Sequence, residues 1–279
     1  MWITQGYTVK QLSKLSEHSQ STIRRTLKYW LSKEPNLCDE KELSKITHVL
    51  YDATYFHRGN CFLVLADNKT KKIFFCEFVR SENYQQARNY FDRLKAFGLR
   101  PKVLISDANQ TILKVFQDVW ANAIMQRCLI HASFQTIRFL HKNSKTKAAQ
   151  DLKSIAIACS RIKSQKNKEE FENAYTNWRL KYEPFIKSLP NESYEYKEIN
   201  KANTFLKDSL KDIFYFLKDR QIASNTNYLE NLFKTLKENI RRHNGLTKKH
   251  KIAFVKWFFS LKTPKKPHFL NINPLQKGN

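Results

Sequence analysis

The chain has 279 residues, of which 41% are hydrophobic and 13% aromatic, so it can bury a sizeable core and does not have the composition of a disordered protein. Lys and Arg total 50 against 25 Asp and Glu, and the net charge of +25 indicates a polyanionic partner such as nucleic acid, the alternative being a basic surface that only confers solubility. The 5 scattered cysteines argue against a disulfide framework and a zinc ribbon, and no stretch is apolar enough to predict a membrane span, so we expect a cytoplasmic protein.

The first predicted elements are two short helices within residues 8–32, separated by a break at 16–18. Ser19 or Ser21 can cap the second helix. Its apolar stripe comprises Ile23, Leu27, Trp30 and Leu31, and its opposite face carries Arg24, Arg25 and Lys28. This pattern predicts a DNA-binding, helix-turn-helix-like segment over residues 1–35, in which the basic face contacts DNA. The alternative is an amphipathic hairpin of helices with a solvated basic face.

A polar stretch at 33–45 is typical of a linker and precedes a dense series of strands and helices. The spacing predicts strands at 46–56, 60–67 and 71–79, a helix at 84–97, a strand at 102–108, a helix at 109–120 and a buried strand at 123–131. Three antiparallel strands followed by two crossover strands make a mixed sheet covered by helices. We therefore expect an α/β protein whose residues 46–135 form the first part of an RNase H-like core.

From residue 136 to residue 222 helical periodicity takes over, which predicts an all-helical insertion. One of its helices places Phe171, Tyr175, Trp178, Tyr182 and Phe185 on one face. Another helix is expected to begin at residue 203. These aromatic side chains are expected to form the core of the insertion, although Trp178 could instead stack on an unpaired base. Residues 223–262 are predicted to return to the core as two helices, the first beginning near Thr226, and residues 263–279 to form an extended basic tail.

Three carboxylates fall on elements that the predicted fold brings together. Asp52 lies inside the first strand, Asp107 at the end of the fourth strand, and Glu230 in the first turn of the late helix. Oxygen ligands suit Mg²⁺, and two divalent cations about 3.5–4 Å apart can activate the attacking and leaving oxygens of a phosphodiester. A carboxylate that binds cations would explain an aspartate in an apolar strand, where an unpaired charge is costly.

Each carboxylate also has a purely structural interpretation. Asp52 could be an edge residue paired with a lysine, and Asp107 could be a turn residue or a helix cap. Glu230 could support a capping box with Asn227 as N-cap, or pair with Lys234 one helical turn later.

The segments VLYDATYF, LISDA, MQRCLIH and TNYLENLFKTLKENIRRHNGL, taken together, resemble those of Mutator-like DDE transposases and their bacterial insertion-sequence relatives. The resemblance runs from about residue 46 to residue 260. Its most specific parts are a CxxH pair, here Cys128 and His131, and a TNxxE helix followed by a basic segment, which places Glu230 at the position of the family's catalytic glutamate.

This resemblance implies an RNase H-like core interrupted by a helical insertion, with Asp52, Asp107 and Glu230 as the catalytic triad that binds two Mg²⁺ or Mn²⁺ ions. The reaction would be hydrolytic cleavage at transposon ends followed by attack of a 3′-hydroxyl on target DNA. It would require a homodimer or higher assembly on DNA, in a bacterial, nucleoid-associated setting. The alternatives are an RNase H-like nuclease or resolvase that cuts without joining, and a catalytically inactive DNA-binding protein derived from a transposase.

Two further groups of residues near the predicted site have two interpretations each. Cys128 and His131 could form half of a zinc site with His141 as the nearest further ligand, or they could be a buried thiol and a hydrogen-bonding histidine at a strand end. We expect the second and assign no metal to this pair, whose residues would shape the wall of the active site. The basic segment 234–251 is expected to contact phosphates, the alternative being a solvated helix face. The side chains expected to make these contacts are Lys237, Arg241 and Arg242.

Overall fold

The computed structural model describes residues 1–37, 40–56, 60–107, 109–140 and 144–262. Five strands of these residues form one mixed sheet in the order β3-β2-β1-β4-β5. The strands are β1 (His48–Tyr55), β2 (Cys61–Asp67), β3 (Ile73–Val79), β4 (Val103–Ser106) and β5 (Ile124–Arg127). β1 pairs antiparallel with β2 and parallel with β4, and β4 pairs parallel with β5. The predicted α/β class with a mixed sheet is confirmed.

The described residues form thirteen helices, among them the two predicted on either side of the fourth strand. Before and between the strands lie α1 (Trp2–Gln5), α2 (Val9–Ser16), α3 (Gln20–Leu31), α4 (Glu40–Leu43), α5 (Tyr84–Ala96) and α6 (Gln110–Val119). After β5 come α7 (Leu129–Phe139), α8 (Lys147–Cys159), α9 (Gln165–Ser188), α10 (Tyr194–Ser209), α11 (Tyr215–Lys218), α12 (Asn227–Arg242) and α13 (Lys248–Lys262). None of the helices in these described ranges is both long and apolar enough to cross a membrane.

The two faces of the sheet are covered by different helices because side chains alternate along each strand. Tyr51 of β1 belongs to a core shared with α5 and α6, where it contacts Phe91 edge to face. Leu50, its neighbour in sequence, belongs to the opposite core, shared with α12 and α13. Fully burying each such side chain contributes roughly 1.5–3 kcal/mol. The sheet is thereby held between two helical layers, and α12 lies on the face to which even-numbered β1 residues point.

A third core lies among α7, α8, α9 and α10. Of the five predicted aromatic residues, four are buried here: Phe171, Tyr175, Trp178 and Tyr182. Trp178 also donates a hydrogen bond from its indole nitrogen to the carbonyl of Ala148 at 2.8 Å, so its packing role is confirmed and base stacking is not available to it. Phe185 was predicted on the same face but is 38% exposed.

The end of β5 fastens the helical region to the sheet. Arg127 is almost fully buried and donates to the carboxylate of Asp212 at 2.9 Å and to the hydroxyl of Ser209 at 3.2 Å. Gln126 donates to the carbonyl of Ile213 and accepts from the backbone N–H of Phe216. Removing one partner of a buried ion pair costs about 3–5 kcal/mol, so this junction resists separation of the two regions.

The N-terminal helices have the predicted break and the predicted caps. α2 ends at Ser16, Glu17 adopts a left-handed conformation with φ of 57°, and Ser19 caps α3 by accepting from the N–H of Thr22. Two members of the predicted apolar stripe, Ile23 and Leu31, are buried. Trp30 is 47% exposed, because it sits beside Trp257 on the outside of α13 rather than between two layers.

The short helix α1 docks on α12 and on the residue that follows it. Trp2 stacks on His243 with ring centroids 4.1 Å apart, and Asn239 donates to the carbonyl of Ile3 at 2.9 Å. Gly6 ends α1 with φ of 71°, and a Cβ there would lie 2.9 Å from the side chains of Arg242 and Asn239. This close approach explains the glycine.

Three local predictions were wrong. The run 123–131 is a strand only as far as Arg127, because Cys128 becomes the N-cap of α7, and His131 therefore lies on a helix. The predicted linker 33–45 contains α4, whose Leu43 is fully buried. The helix expected from residue 203 begins at Tyr194, where Ser193 caps it. His141 and the basic tail 263–279 lie outside the described residues.

Candidate active site

Asp52 lies in the middle of β1 with its side chain directed toward α12. It is 8% exposed, and its Oδ1 accepts a hydrogen bond from the N–H of Ala53 at 2.8 Å. Burial raises the pKa of Asp52 to about 8, and the negative charges of Asp107 and Glu230 contribute in the same direction. These two predicted partners therefore act on Asp52 in the fold. A buried carboxylate held near other carboxylates is a group that a cation would stabilise.

Asp107 follows β4, next to β1 in the sheet. Its Oδ1 accepts from the N–H of Asn109 at 3.2 Å, a contact typical of a turn aspartate. It is not a helix cap, since Asn109 caps α6 by accepting from the N–H groups of Thr111 and Ile112. Among the described residues, no group donates a hydrogen bond to the other carboxylate oxygen of Asp107.

Glu230 lies in the first turn of α12, where it faces α7. The helix begins at Asn227 with Thr226 as its N-cap, so the expected capping box on Asn227 is not formed. Instead the hydroxyl of Thr226 donates to Oε1 of Glu230 at 3.4 Å, and Nδ1 of His131 lies 3.8 Å from the same oxygen. The side chain of Glu230 is 41% exposed, which leaves it accessible to a ligand.

Cys128 and His131 occupy the N-terminal turn of α7, beside Glu230. The N–H of Cys128 donates to the carbonyl of Ser106 at 2.6 Å, which ties this turn to the end of β4. A hydrogen bond with Cys128 raises the pKa of His131 to about 9 against the opposing effect of burial, and the charges of Glu230 and Asp52 add to the increase. Ligand atoms of Cys128, His131 and Glu230 all lie within 4.8 Å of one another. Asp52 and Asp107 are not in this group.

A cleft of about 500 Å³ opens between the end of β1 and α12. Its lining includes Asp52, Thr54, Tyr55, His131, Glu230, Phe233, Lys234, Lys237, Glu238 and Arg241. The cationic residues Lys234, Lys237 and Arg241 follow Glu230 on the same face of α12, at the spacing of successive helical turns. Glu238 lies among these cations, so the cleft offers both acidic and basic groups to a ligand.

Three of the predicted DNA contacts lie on α3. Arg24, Arg25 and Lys28 are all exposed, and none of them lines this cleft. Arg242 differs from its neighbour Arg241, because it donates to the carbonyl of Gln5 at 3.3 Å, at the C-terminal end of α1.

Glu82 is a residue near the site that the sequence did not reveal. It accepts hydrogen bonds from the phenol groups of Tyr51, at 2.8 Å, and Tyr55. Burial and the charge of Asp107 raise the pKa of Glu82, while the two phenol hydrogen bonds lower it. The sequence contained one indication of such a residue. The spacing of the two tyrosines places both phenols on one face of the strand, where a buried hydroxyl needs a hydrogen-bond acceptor.

The carboxylate set fits a hard divalent cation. Asp52 is buried and lacks a cationic partner among its hydrogen-bond contacts, and every donor of the predicted triad is an oxygen, the ligand type that Mg²⁺ and Mn²⁺ prefer.

The family model described as "Transposase, Mutator family" matches residues 62–250, which is more than half of the chain. No curated protein matches the sequence.

Proposed function

Because the chain belongs to the Mutator family of transposases, whose members cleave and transfer DNA, we propose that it is a DDE transposase with Asp52, Asp107 and Glu230 as its catalytic, metal-binding residues. The substrates would be transposon ends and target DNA. The observation that carries the proposal is a carboxylate buried in the middle of a strand, Asp52, that lines the same cleft as Glu230 of α12.

Some of the chain's own residues would hold the metal ions, and others would bind and orient the DNA. Two bound Mg²⁺ or Mn²⁺ ions would supply activation of the attacking oxygen and stabilisation of the leaving oxygen. Ionised Asp52, Asp107 and Glu230 would hold them. Lys237 and Arg241, which line the cleft, would bind the DNA phosphates and orient the scissile bond.

The fold supports an RNase H-like assignment of the core. Three antiparallel strands continue into two parallel strands, and the helix that carries Glu230 returns to the sheet only after the helical region. We propose that residues 46–135 and 223–262 form this core and that residues 136–222 are an insertion in it. α7 spans the first of these junctions, so the insertion would be continuous with the core at that point.

Residues 1–35 are proposed to act as a helix-turn-helix-like DNA-binding segment. The two capped helices and the exposed Arg24, Arg25 and Lys28 support this role, since exposed cations on one helix face bind phosphates or base edges. Arg242, though it contacts α1, is exposed and stays in the proposed DNA-contact set. We also propose that the protein acts in the cytoplasm on nucleoid DNA, as a dimer or a higher assembly that holds two transposon ends.

Cleavage and strand transfer should be measured with Asp52→Asn, Asp107→Asn and Glu230→Gln variants, on intact and on pre-cleaved transposon-end DNA. Each variant should lose activity by about a hundredfold or more, since a metal ligand supplies several kcal/mol of transition-state stabilisation. Glu238→Gln is the matched control, because Glu238 also lies on α12 and lines the cleft.

Full activity in any of the three variants would remove that residue from the triad. Cleavage of intact ends without joining of pre-cleaved ends would instead identify a nuclease or resolvase, and DNA binding with neither reaction would identify an inactive DNA-binding protein.

A further inference from the structure

We propose that Cys128, His131 and Glu230 form a zinc site, and that zinc bound there competes with the catalytic cations for Glu230. The competition rests on the proposed function, whereas zinc binding rests only on the positions of the three side chains.

The three donors already lie close to a zinc-binding arrangement. Their ligand atoms all fall within 4.8 Å of one another, and Nδ1 of His131 is 3.8 Å from Oε1 of Glu230. Zinc–ligand bonds of about 2.0–2.3 Å place the ligands of a tetrahedral ion roughly 3.5 Å apart. Small rotations of the partly exposed His131 and Glu230 side chains would close this difference.

Backbone hydrogen bonds hold the turn that carries Cys128 against two neighbouring segments. Cys128 is the N-cap of α7, and its N–H donates to Ser106 at the end of β4. The N–H of Leu129 donates to the carbonyl of Ser224 at 2.8 Å, which joins this turn to the segment leading into α12. Thr226, the N-cap of α12, has its hydroxyl 3.5 Å from Nδ1 of His131. Two helix N-termini are thereby held together, with ligands contributed by both.

The donor types select zinc over the ions of the carboxylate set. A thiolate and an imidazole are soft or borderline ligands, whereas Asp52 and Asp107 offer only hard oxygens. Three protein ligands leave a fourth position open, as in zinc sites that bind water or an anion. Binding would release the proton of the Cys128 thiol and any proton on the metal-binding nitrogen of His131.

Glu230 belongs to both the proposed zinc site and the proposed catalytic triad, so zinc binding should affect activity. A carboxylate drawn toward Cys128 and His131 is withdrawn from Asp52 and Asp107. Zinc should therefore inhibit the proposed reaction, and Mg²⁺ and zinc should weaken each other's binding by the same factor, as linkage requires.

Binding is tested by titrating the metal-free full-length protein with Co²⁺, which gives a thiolate-to-metal absorption band, and then displacing it with Zn²⁺. We expect one equivalent to bind with that band. Cys128→Ser should abolish the band and weaken zinc binding more than about tenfold. Cys159→Ser, which removes another buried thiol from the helical core, should change neither. Absence of the band in the parent protein, or its survival in Cys128→Ser, would overturn the site.

A second variant guards against misfolding of Cys128→Ser. His131 is partly exposed, so His131→Gln should retain the fold, checked by circular dichroism, and should still weaken Co²⁺ binding more than about tenfold. Unchanged Co²⁺ affinity in this variant would contradict the site.

Competition is measured both by binding and by activity. Mg²⁺ should raise the apparent dissociation constant of Co²⁺ in the parent protein but not in Asp52→Asn, which lacks one of the proposed Mg²⁺ ligands. Zn²⁺ at fixed Mg²⁺ should inhibit strand cleavage in the parent and Cys159→Ser proteins and not in Cys128→Ser. Equal Co²⁺ affinity with and without Mg²⁺ would overturn the competition. A protein that binds Co²⁺ but never cleaves DNA would instead reject the proposed function and leave the zinc site standing.

Discussion

Arg241 and Arg242 are adjacent in the sequence, yet they belong to different surroundings on α12. Arg241 lines the cleft together with Glu230 and Lys237, whereas Arg242 contacts the end of α1. We refer to these as the cleft side and the docked side of α12. On the cleft side, no described residue pairs with Lys237 or Arg241, so these two charges are available to a substrate. On the docked side, polar groups are used to hold the N-terminal helix. A basic run can therefore combine binding and stabilising roles one residue apart.

The largest expected effect lies on the docked side. Trp2 is 8% exposed and packs on His243 and Phe254, so Trp2→Ala should destabilise the docking of α1 by about 3–5 kcal/mol. Hydrogen exchange at residues 2–6 and chemical denaturation measure this loss. Trp30→Ala is the control, because Trp30 is 47% exposed and should cost much less. Equal costs would mean that α1 is not held by this contact.

On the cleft side, a substitution should raise the free energy of unfolding rather than lower it. The pKa of Asp52 is raised to about 8, so the folded protein binds this proton more tightly than the unfolded chain, and stability falls as pH rises from about 4 to about 8. Asp52→Asn removes that cost. In metal-free buffer at pH 8 we expect the variant to be more stable by about 1–3 kcal/mol, while it loses activity.

Thermal unfolding at pH 5 and pH 8, with and without Mg²⁺, tests this prediction. Mg²⁺ should stabilise the parent protein and not the variant, because ligand binding to the native state raises its stability. A variant less stable than the parent at pH 8 would show that Asp52 is held by contacts other than those described.

A smaller effect is expected where α1 meets α12. Gly6 has φ of 71°, and a Cβ would lie 2.9 Å from the side chains of Asn239 and Arg242, so Gly6→Ala should destabilise by about 1–2 kcal/mol. Gly245→Ala separates the cost of a positive φ from the cost of the close contact, since Gly245 has φ of 87° but open space around it. Chemical denaturation of both variants gives the cost of the backbone conformation and, by difference, that of the contact. Equal costs would mean that the close approach contributes nothing.

The smallest change is expected from the adjacent arginines. Arg241→Ala should weaken DNA binding several-fold and reduce the slope of log affinity against log salt by about 1. Arg242→Ala should reduce that slope by less, because part of the guanidinium is held by the carbonyl of Gln5, and it should lower the stability of the α1 contact by about 1 kcal/mol. Fluorescence anisotropy at several salt concentrations distinguishes them. A larger loss of salt dependence in Arg242→Ala would reverse the assignment of the two sides.

Much of the fold followed from local patterns in the sequence. Apolar runs marked β1 and its neighbours, helical periodicity marked α12, and periodicity together with a serine cap marked α3. The unusual position of Asp52 in an apolar strand was also visible, because an aspartate within an apolar run can be recognised from its neighbours in the sequence alone. These features depend on residues a few positions apart, which is why the sequence alone determined them.

Tertiary structure decided what local patterns could not. The end of β5 depended on Cys128 starting a helix against Ser106, and Trp30 was left exposed by the way α3 meets α13. The meeting of Cys128 with Glu230, and the separation of Arg241 from Arg242, arise from elements far apart in the chain that fold together. Such juxtapositions are set by the packing of whole helices on the sheet, and neither periodicity nor composition encodes them.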